Sequence, residues 1–458
     1  MSSRDSESGP PLQPGDRLRL RLGDLATGGE VVARHEGMAV FVWGGAPGDL
    51  AAVEITQVSP RFARGHVVEV IEPGPARVQA PCPYFPECGG CQIQHLAYEE
   101  QLRQKQMIVR DALERIGRLR EVEVAPTIGM ADPWRYRNKA EYAITPTAEG
   151  LALGFMAARS HQVVPVEDCL VQHPLGVEVM RAFRGIARET GWLAGWQAES
   201  GSLAHLITRV STAQDRALAT IVYPAHAPQP QVVAERLMQA VPRLAGVTAT
   251  ATKRRQWPSP AHSRPIVGEW ALEERLGELR FRVSADSFFQ VNTQQAERLL
   301  ELVTTWSEVR PGDLVVDAYS GVGIFLVALA ARGAKVMGIE SNASAVRDAR
   351  ANARRAGLTG VRLVHGKVER LLPMLARQEA QADVVIFDPP RAGCGKAALV
   401  GAARMSPRAM VMVSCDPATL ARDLRVLGDL GYRVDRLQPV DLFPHSYHVE
   451  IVARAVRV

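Results

Sequence analysis

The sequence has no uncharged apolar run of about 18 residues, the least that would suggest a membrane-spanning helix, although 47% of its 458 residues are hydrophobic. A membrane protein is therefore not expected. Residues 1–13 are rich in Ser, Pro and Gly and lack the charged-then-apolar pattern of a signal peptide. We expect a disordered tail there and a cytoplasmic protein.

Cysteine is scarce, with six in the chain, and structural disulfides are not expected in the cytoplasm. Three of them, Cys82, Cys88 and Cys91, follow the spacing C-x5-C-x2-C, with two glycines before the third. Thiolates this close together predict a metal site. Cys169 is the nearest remaining cysteine and the candidate fourth ligand. An iron–sulfur cluster and zinc both accept four cysteines, so these residues alone leave the metal open.

Lysine is scarce relative to arginine, and the net charge of +5 with a pI near 9.0 gives mild support for a polyanionic partner. A general bias towards arginine explains the charge equally well. The segment 134–139 reads Trp-Arg-Tyr-Arg-Asn-Lys and alternates aromatic with cationic side chains, as surfaces that stack bases and bind phosphates do. We predict RNA contact there, with a solvated strand edge as the alternative.

The length predicts two to four domains. Residues 14–74 contain five short strand-like runs separated by Gly and Pro turns, which predicts a small OB-like β-barrel, a common nucleic-acid platform. Residues 75–283 mix helical and strand patterns, so we expect an α+β central domain that carries the cysteine cluster. Its helix, 98–119, is expected to pack on the catalytic domain. The barrel runs are 17–22, 30–33, 38–43, 50–58 and 65–70.

Residues 284–458 have the pattern of a Rossmann-like nucleotide-binding domain. A strand ending at Asp317 leads into the glycine turn Tyr319–Gly323 and then a helix, and a second strand ends in Glu340. A carboxylate there can accept both hydroxyls of a ribose. The third glycine of a dinucleotide-binding turn is missing, since Leu326 occupies its position. This favours S-adenosylmethionine, which has no phosphates, over a dinucleotide.

Two further strand ends carry reactive groups. The apolar run 384–387 ends in Asp388-Pro389-Pro390, a turn common in methyltransferases that act on planar nitrogens or nucleobases. The apolar run 409–413 leads to Cys415, whose thiolate at the end of a strand can attack an electrophilic carbon. Glu450 begins the last apolar run and is the candidate base. A buried small side chain and a surface carboxylate are the plain alternatives for Cys415 and Glu450.

Together these motifs resemble the RNA uracil-5-methyltransferase family, specifically its branch that methylates 23S ribosomal RNA, over nearly the whole chain. The resemblance implies an N-terminal TRAM domain, a central domain with a four-cysteine [4Fe-4S] site, and a methyltransferase domain that binds S-adenosylmethionine. It also implies roles for particular residues. These are Cys82, Cys88, Cys91 and Cys169 on the cluster, Gln290, Tyr319, Gly321, Gly323, Glu340 and Asp388 on the cofactor, Cys415 as the nucleophile and Glu450 as the base.

The implied reaction is transfer of a methyl group to C5 of a uridine through a covalent Cys415–C6 adduct, in a monomer with no obligate protein partner. Ile324 and Lys367 depart from the residues common in the family, which affects the expected cofactor contacts. Transfer RNA is an alternative substrate. The motifs also leave open a cytosine-C5 methyltransferase that uses Cys394, and an RNA-binding or assembly protein without catalysis.

Overall fold

The computed structural model describes residues 12–147, 150–193, 204–252, 263–378 and 380–458. Most of the tail expected at 1–13 therefore lies outside the described residues. The chain divides into two units: the first comprises Met1–Pro86, Cys91–Ile108 and His445–Tyr447, and the second comprises Glu87–Gly90, Val109–Pro444 and His448–Val458. No helix in the described part of the chain is both long and apolar enough to cross a membrane.

The strands are β1 (Arg17–Arg21), β2 (Val31–His35), β3 (Met38–Trp43), β4 (Leu50–Ser59), β5 (Phe62–Glu72), β6 (Lys139–Thr147), β7 (Gly150–Met156), β8 (Val163–Pro165), β9 (Ala204–Ser211), β10 (Arg216–Pro224), β11 (Leu244–Thr252), β12 (Arg264–Gly268), β13 (Ala271–Leu276), β14 (Leu279–Ser284), β15 (Leu314–Ala318), β16 (Lys335–Glu340), β17 (Val361–His365), β18 (Val384–Phe387), β19 (Ala409–Ser414), β20 (Tyr432–Val440) and β21 (Glu450–Arg457). The α-helices are α1 (Tyr98–Ala112), α2 (Pro174–Glu189), α3 (Gln231–Ala240), α4 (Thr293–Trp306), α5 (Ile324–Ala330), α6 (Ala343–Arg355), α7 (Val368–Arg377), α8 (Lys396–Arg404) and α9 (Pro417–Asp429).

The first unit contains the five strands that the sequence predicts, in the order β1-β4-β5-β3-β2. Alternate residues of these strands point to one apolar core, as the period of a half-buried strand requires. The segment after β1 closes the barrel onto β2, because Gly23 N–H donates to Val32 O at 2.8 Å and Val32 N–H donates to Asp24 O at 3.0 Å. A closed barrel leaves no open edge between its first two strands.

The second unit contains a seven-stranded central sheet in the order β12-β11-β10-β9-β6-β7-β8. Every residue of β9 is buried, and so is nearly every residue of β10. Both faces of these strands are therefore covered, and β9 buries the polar residues His205, Thr208, Arg209 and Ser211 along with its apolar ones. Helix α2 packs on β7 and β9. The hairpin β13–β14 then leads into the C-terminal half.

The C-terminal sheet has the order β17-β16-β15-β18-β19-β21-β20. It is parallel from β17 to β19, and β20 and β21 add an antiparallel edge. Alternate residues serve two cores, with Val316 and Met412 on one face and Val315 and Val413 on the other. The order of the strands reverses between β15 and β18. In open α/β sheets, ligands bind at this switch point, beyond the carboxyl ends of the strands.

The predicted helix 98–119 is not one regular α-helix. After α1 the chain makes a π-helical turn, Leu113–Gly117, and Arg118 follows in the left-handed region with φ of 59°. Leu113 joins the core of the C-terminal sheet. A Cβ at Gly117 would lie 3.1 Å from Ala421 O, so this approach to α9 favours glycine. Sequence periodicity does not distinguish an α-helix from a terminal π-helical turn.

Candidate active site

Four of the predicted site residues lie at the carboxyl ends of neighbouring strands. Tyr319 follows β15, Glu340 ends β16, Asp388 follows β18 and Cys415 follows β19. The strands are in register, since Ala318 pairs with both Ile339 and Phe387. Parallel strands bring their carboxyl ends to one edge of a sheet, so the fold gathers these four residues at its switch point.

The glycine turn lies against Glu340. Gly321 N–H donates to Glu340 Oε2 at 3.0 Å, and Asn342 N–H donates to Glu340 Oε1 at 2.6 Å. Gly321 and Gly323 have φ of 54° and 87°, which favours glycine. A Cβ at Gly321 would meet no described atom within 4 Å, so the turn leaves open space beside the carboxylate. A fixed carboxylate whose Oε2 accepts one hydrogen bond, beside open space, fits the ribose of an adenosyl cofactor.

Tyr319 has a left-handed backbone, with φ of 65°, and its hydroxyl donates to Glu369 Oε1 at 2.7 Å. A non-glycine residue in this region is strained, and such residues concentrate at functional sites. Burial and the bond to Glu369 raise the pKa of Tyr319. The two residues that depart from those common in the family have structural positions. Ile324 packs against the apolar core, and Lys367 is the N-cap residue of α7 without a side-chain capping bond.

Cys415 is partly exposed and lies between the end of β19 and the start of α9. Asp416 caps α9 by accepting a hydrogen bond from Thr419 N–H at 2.8 Å. Burial, followed by the charges of Glu450 and Asp388, raises the pKa of Cys415 to about 12 against the opposing cation of Arg391. The thiol is therefore protonated at neutral pH in this state, and the helix N-terminus and Arg391 are the features that favour its thiolate.

Glu450 is the first residue of β21 and only 4% exposed. Burial raises its pKa well above the usual value, the charge of Asp388 adds to this, and Arg391 opposes it. Burial and the charge of Glu340 likewise raise the pKa of Asp388 to about 7. Burial is also the largest cause of the raised pKa of Cys415, ahead of the charge of Glu450.

Two charged residues at this edge carried no predicted role. Arg391 is the cation that acts on both Cys415 and Glu450, and its Nη2 lies 3.4 Å from His448 Nε2. Its position directly after Asp-Pro-Pro was the sequence feature that could have predicted a role for Arg391 in the site. Asp317 is fully buried in β15, and burial together with the charges of Asp388 and Glu340 raises its pKa well above the usual value.

Gln290 belongs to a different segment, between β14 and α4, and is 7% exposed. Its carbonyl accepts a hydrogen bond from Asn138 Nδ2 at 3.0 Å. Asn138 belongs to the aromatic and cationic segment 134–139, whose charged members also have protein partners. Arg135 binds Asp168 at 2.7 Å, and Lys139 binds Glu141 at 2.6 Å. RNA contact at this segment stays a prediction.

The four cysteines of the predicted metal site are divided between the units. Cys82 and Cys91 belong to the first unit, and Cys88 and Cys169 belong to the second. All four are partly exposed, and all six cysteines of the chain lie among the described residues without a disulfide. Within the described ranges, no group of three or more His, Cys, Asp or Glu side chains is placed to hold a metal ion. The structure therefore gives no support for the cluster.

Comparison with known proteins agrees with this geometry. Residues 97–453 match the profile of the tRNA (uracil-5-)-methyltransferase family, and residues 11–68 match the TRAM domain. The chain belongs to the tRNA (uracil-5-)-methyltransferase family. An uncharacterized RNA methyltransferase of Halalkalibacterium halodurans is 37% identical over 452 residues, 98% of each chain. Another, of Caldanaerobacter subterraneus, is 36% identical over 448 residues, 97% of this chain and 99% of the relative.

This member of the uracil-5-methyltransferase family is also similar to a solved structure, that of Pyrococcus abyssi tRNA (uracil-54, C5)-methyltransferase in complex with S-adenosyl-L-homocysteine. The TM-score is 0.74 at 26% identity, over 96% of this chain and 100% of that one. The predicted family, the TRAM domain and the multidomain α/β architecture with an S-adenosylmethionine-dependent methyltransferase fold are confirmed. The 23S ribosomal RNA branch is not resolved by these relatives.

Proposed function

We propose that this protein transfers a methyl group from S-adenosylmethionine to C5 of a uridine in 23S ribosomal RNA, with Cys415 as nucleophile and Glu450 as base. The observation that supports it most is the register of β19 and β21. Ser414 and Ile451 are the last pair of that ladder, with Cys415 directly after the one and Glu450 directly before the other, and the charge of Glu450 acts on the Cys415 thiol. A thiol and a carboxyl at one end of the sheet suit the two adjacent ring carbons of one uracil, C6 and C5.

The chemistry starts from the weak nucleophilicity of uracil C5. Cys415 Sγ bonds to C6, and the electron pair of the C5=C6 bond moves onto the enolate formed by C5, C4 and O4. S-adenosylmethionine, when bound, supplies the methyl group that C5 accepts. Glu450 then removes the C5 proton, the C5=C6 bond re-forms, and the bond from C6 to Cys415 breaks.

The proton transfers determine the order of the steps. Glu450 must be ionised to take the C5 proton, so the thiol proton of Cys415 has to leave the pair for solvent. Partial exposure of Cys415 gives that proton a route, and the cation of Arg391 stabilises both anions. The ring must leave its stack to reach this edge, which costs a few kcal/mol in a duplex and less in a loop.

The cofactor contacts in this proposal follow the family resemblance and the open space beside the glycine turn. Glu340 would accept the ribose hydroxyls, and Tyr319, Gly321 and Gly323 would border the adenosyl group. Asp388 and Gln290 would complete the cofactor site. Glu340 supports this assignment, since Oε2 accepts one backbone bond and retains a lone pair for a ligand, whereas Oε1 accepts from both Asn342 N–H and Ser341 Oγ.

The domain limits 14–74, 75–283 and 284–458, a monomeric state and a cytoplasmic location form part of the proposal. The barrel strands β1 to β5 fall within 14–74, and β15 to β21 fall within 284–458. The TRAM match over 11–68 supports RNA as the partner of the barrel.

The target RNA has one alternative, a transfer RNA, favoured by the tRNA named for the Pyrococcus abyssi relative. The test is labelled methyl transfer to unmodified transcripts of 23S ribosomal RNA and of tRNA, followed by mass spectrometry of nucleosides. We expect 5-methyluridine in the 23S transcript. Label in tRNA alone would make tRNA the substrate in place of 23S ribosomal RNA. Formation of 5-methylcytidine would show that the enzyme methylates cytosine, and no label in any RNA would refute both the substrate and the reaction.

We further propose a [4Fe-4S] cluster on Cys82, Cys88, Cys91 and Cys169. It is supported by the C-x5-C-x2-C spacing and by the family resemblance of the sequence, and no catalytic step passes through it. Anaerobically purified protein is expected to be brown and to contain equal amounts of iron and sulfide, and Cys169→Ser is expected to lose both. Colourless protein with zinc in place of iron would contradict the proposal.

A further inference from the structure

Two buried groups of opposite charge hold Ser287 from two sides. Arg209, on β9 of the central sheet, is 6% exposed, and its Nη2 donates to Ser287 O at 2.7 Å. Asp348, on α6, is fully buried, and its Oδ2 accepts from Ser287 Oγ at 2.6 Å. The backbone carbonyl and the side-chain hydroxyl of one residue thus join a cation to an anion.

The buried arginine keeps its charge. Burial lowers the pKa of Arg209 to about 10, while the charges of Asp348, Glu141 and Glu274 oppose the shift. The guanidinium is therefore protonated at neutral pH. Buried charges are a costly means of stabilising a fold, because apolar side chains of similar size often do as well. Both groups contact Ser287, and Asp348 also pairs with Arg282 at 2.8 Å, so Ser287 is held in a fixed position.

A fixed Ser287 matters for the segment that follows it, residues 288–290. Phe288 is 63% exposed, Phe289 is 2% exposed and Gln290 is 7% exposed, so successive side chains point in different directions. Phe289 packs in the apolar core. Asn138 holds the far end, because its Nδ2 donates to Gln290 O at 3.0 Å and its N–H donates to Val291 O at 2.8 Å.

We propose that Arg209 and Asp348 are positioning residues that act through Ser287 to fix Phe288 and Gln290. The inference rests on the proposed function, which assigns Gln290 to the cofactor. A displacement of about 1 Å in a residue that orients a reactant costs on the order of a hundredfold in rate. Through Ser287, the central sheet and α6 together determine the positions of Phe288 and Gln290.

The chain offers a matched control in Ser284. It is also buried, its Oγ donates to the same carboxyl, at Asp348 Oδ1 and 2.7 Å, and its N–H donates to Oδ2 at 2.8 Å. Ser284 lies three residues earlier, at the end of β14. Ser287→Ala and Ser284→Ala each remove one hydroxyl from Asp348, so they should lower the melting temperature equally.

The test compares these variants in kcat/KM for S-adenosylmethionine with RNA saturating. Ser287→Ala is expected to fall about tenfold or more below Ser284→Ala, and Ser287→Thr, which keeps a hydroxyl, is expected to recover most of the loss. Equal kcat/KM values for the two alanine variants would overturn the positioning role. Wild-type protein without methyl transfer to any RNA would instead refute the proposed function, so the two failures are distinguishable.

Arg209→Met tests the hydrogen bond from Arg209 to the backbone carbonyl of Ser287. It removes the donor to Ser287 O and is expected to lower the same kcat/KM. Because both contacts fix one residue, the double variant with Ser287→Ala is expected to lose less than the product of the two single effects. A double variant whose loss equals that product would contradict a shared role. Should Arg209→Met fail to fold, the serine comparison still decides the role of Asp348.

Discussion

Cys415 and Glu450 flank the last pair of an antiparallel ladder, since Cys415 directly follows Ser414 and Glu450 directly precedes its partner Ile451. Paired residues in such a ladder, here Ser414 and Ile451, have Cα atoms about 4.5–5.5 Å apart. The chain thus brings a thiol and a carboxyl, distant in sequence, to the edge where the parallel strands also end. Methyl transfer to uracil C5 needs an attacking group at C6 and a proton acceptor at C5, which this pair can supply.

Replacing the thiol tests the first half of that pair. Cys415→Ala is expected to lower methyl transfer by at least about a thousandfold, because no other group can form the bond to C6. Binding of S-adenosylhomocysteine, measured by calorimetry, should be unchanged. Cys394→Ala is the matched control: Cys394 is 3% exposed, and its N–H donates to Asp423. Loss of activity in Cys394→Ala with survival in Cys415→Ala would reverse the assignment.

Replacing the carboxyl tests the second half. Glu450→Gln keeps the shape of the side chain but cannot accept the C5 proton, so the reaction is expected to stop after the methyl group has reached C5. The observable is a protein–RNA adduct that survives denaturing electrophoresis and carries labelled methyl. Release of 5-methyluridine at the wild-type rate would contradict the role of Glu450 as base.

The raised pKa of Asp388 predicts a pH-dependent stability. The folded chain keeps this proton up to about pH 7, whereas the unfolded chain loses it near the usual value of 3.8. The unfolded state therefore binds fewer protons between these values, and stability falls as pH rises through them, by at most about 4 kcal/mol. Partial exposure of Asp388 reduces this figure.

Asp388→Asn removes that titration. Urea denaturation should show the variant more stable than wild type at pH 8 and close to it at pH 4. Asp429→Asn, at an exposed position at the end of α9, is the control and should show no such trend. A constant difference between Asp388→Asn and wild type at all pH values would contradict the assigned cause.

The bond between Tyr319 and Glu369 predicts a cofactor effect. Tyr319→Phe removes a hydrogen bond to a carboxylate that holds Tyr319 in place, a kind of bond that in general contributes about 1.5–3 kcal/mol, so affinity for S-adenosylhomocysteine should fall by about tenfold or more. Tyr432→Phe removes a comparable bond, to Pro407 O at 3.0 Å, on a strand at the sheet edge. It should leave that affinity unchanged. Equal affinities for the two variants would remove Tyr319 from the cofactor site.

The strand ends were the part of the site that the sequence predicts well. Apolar runs followed by an acid, a glycine turn or Asp-Pro mark β15, β16, β18 and β19 within a residue or two. Local pattern is sufficient there, because a buried parallel strand needs an apolar run and its end needs a turn. Once the strands are parallel, their ends meet without further information.

The contacts of Arg209 and Asp348 with Ser287 could not be predicted from local sequence pattern. Arg209, Ser287 and Asp348 are separated by more than 60 residues in each case, and a serine in a loop carries no signal of its partners. Arg391 was missed because its effect on Cys415 and Glu450 depends on three segments that only the fold brings together. Long-range pairing of single polar residues leaves no periodicity in a sequence.

The most direct test of the central claim is trapping with RNA in which the target uridine is replaced by 5-fluorouridine. After methyl transfer C5 carries fluorine in place of the proton, so Glu450 has nothing to remove and the bond from C6 to Cys415 cannot break. Mass spectrometry of the digested complex is predicted to find a methylated fluorouridine on the peptide that contains Cys415. Full turnover without an adduct, or an adduct on Cys394 instead, would contradict the account.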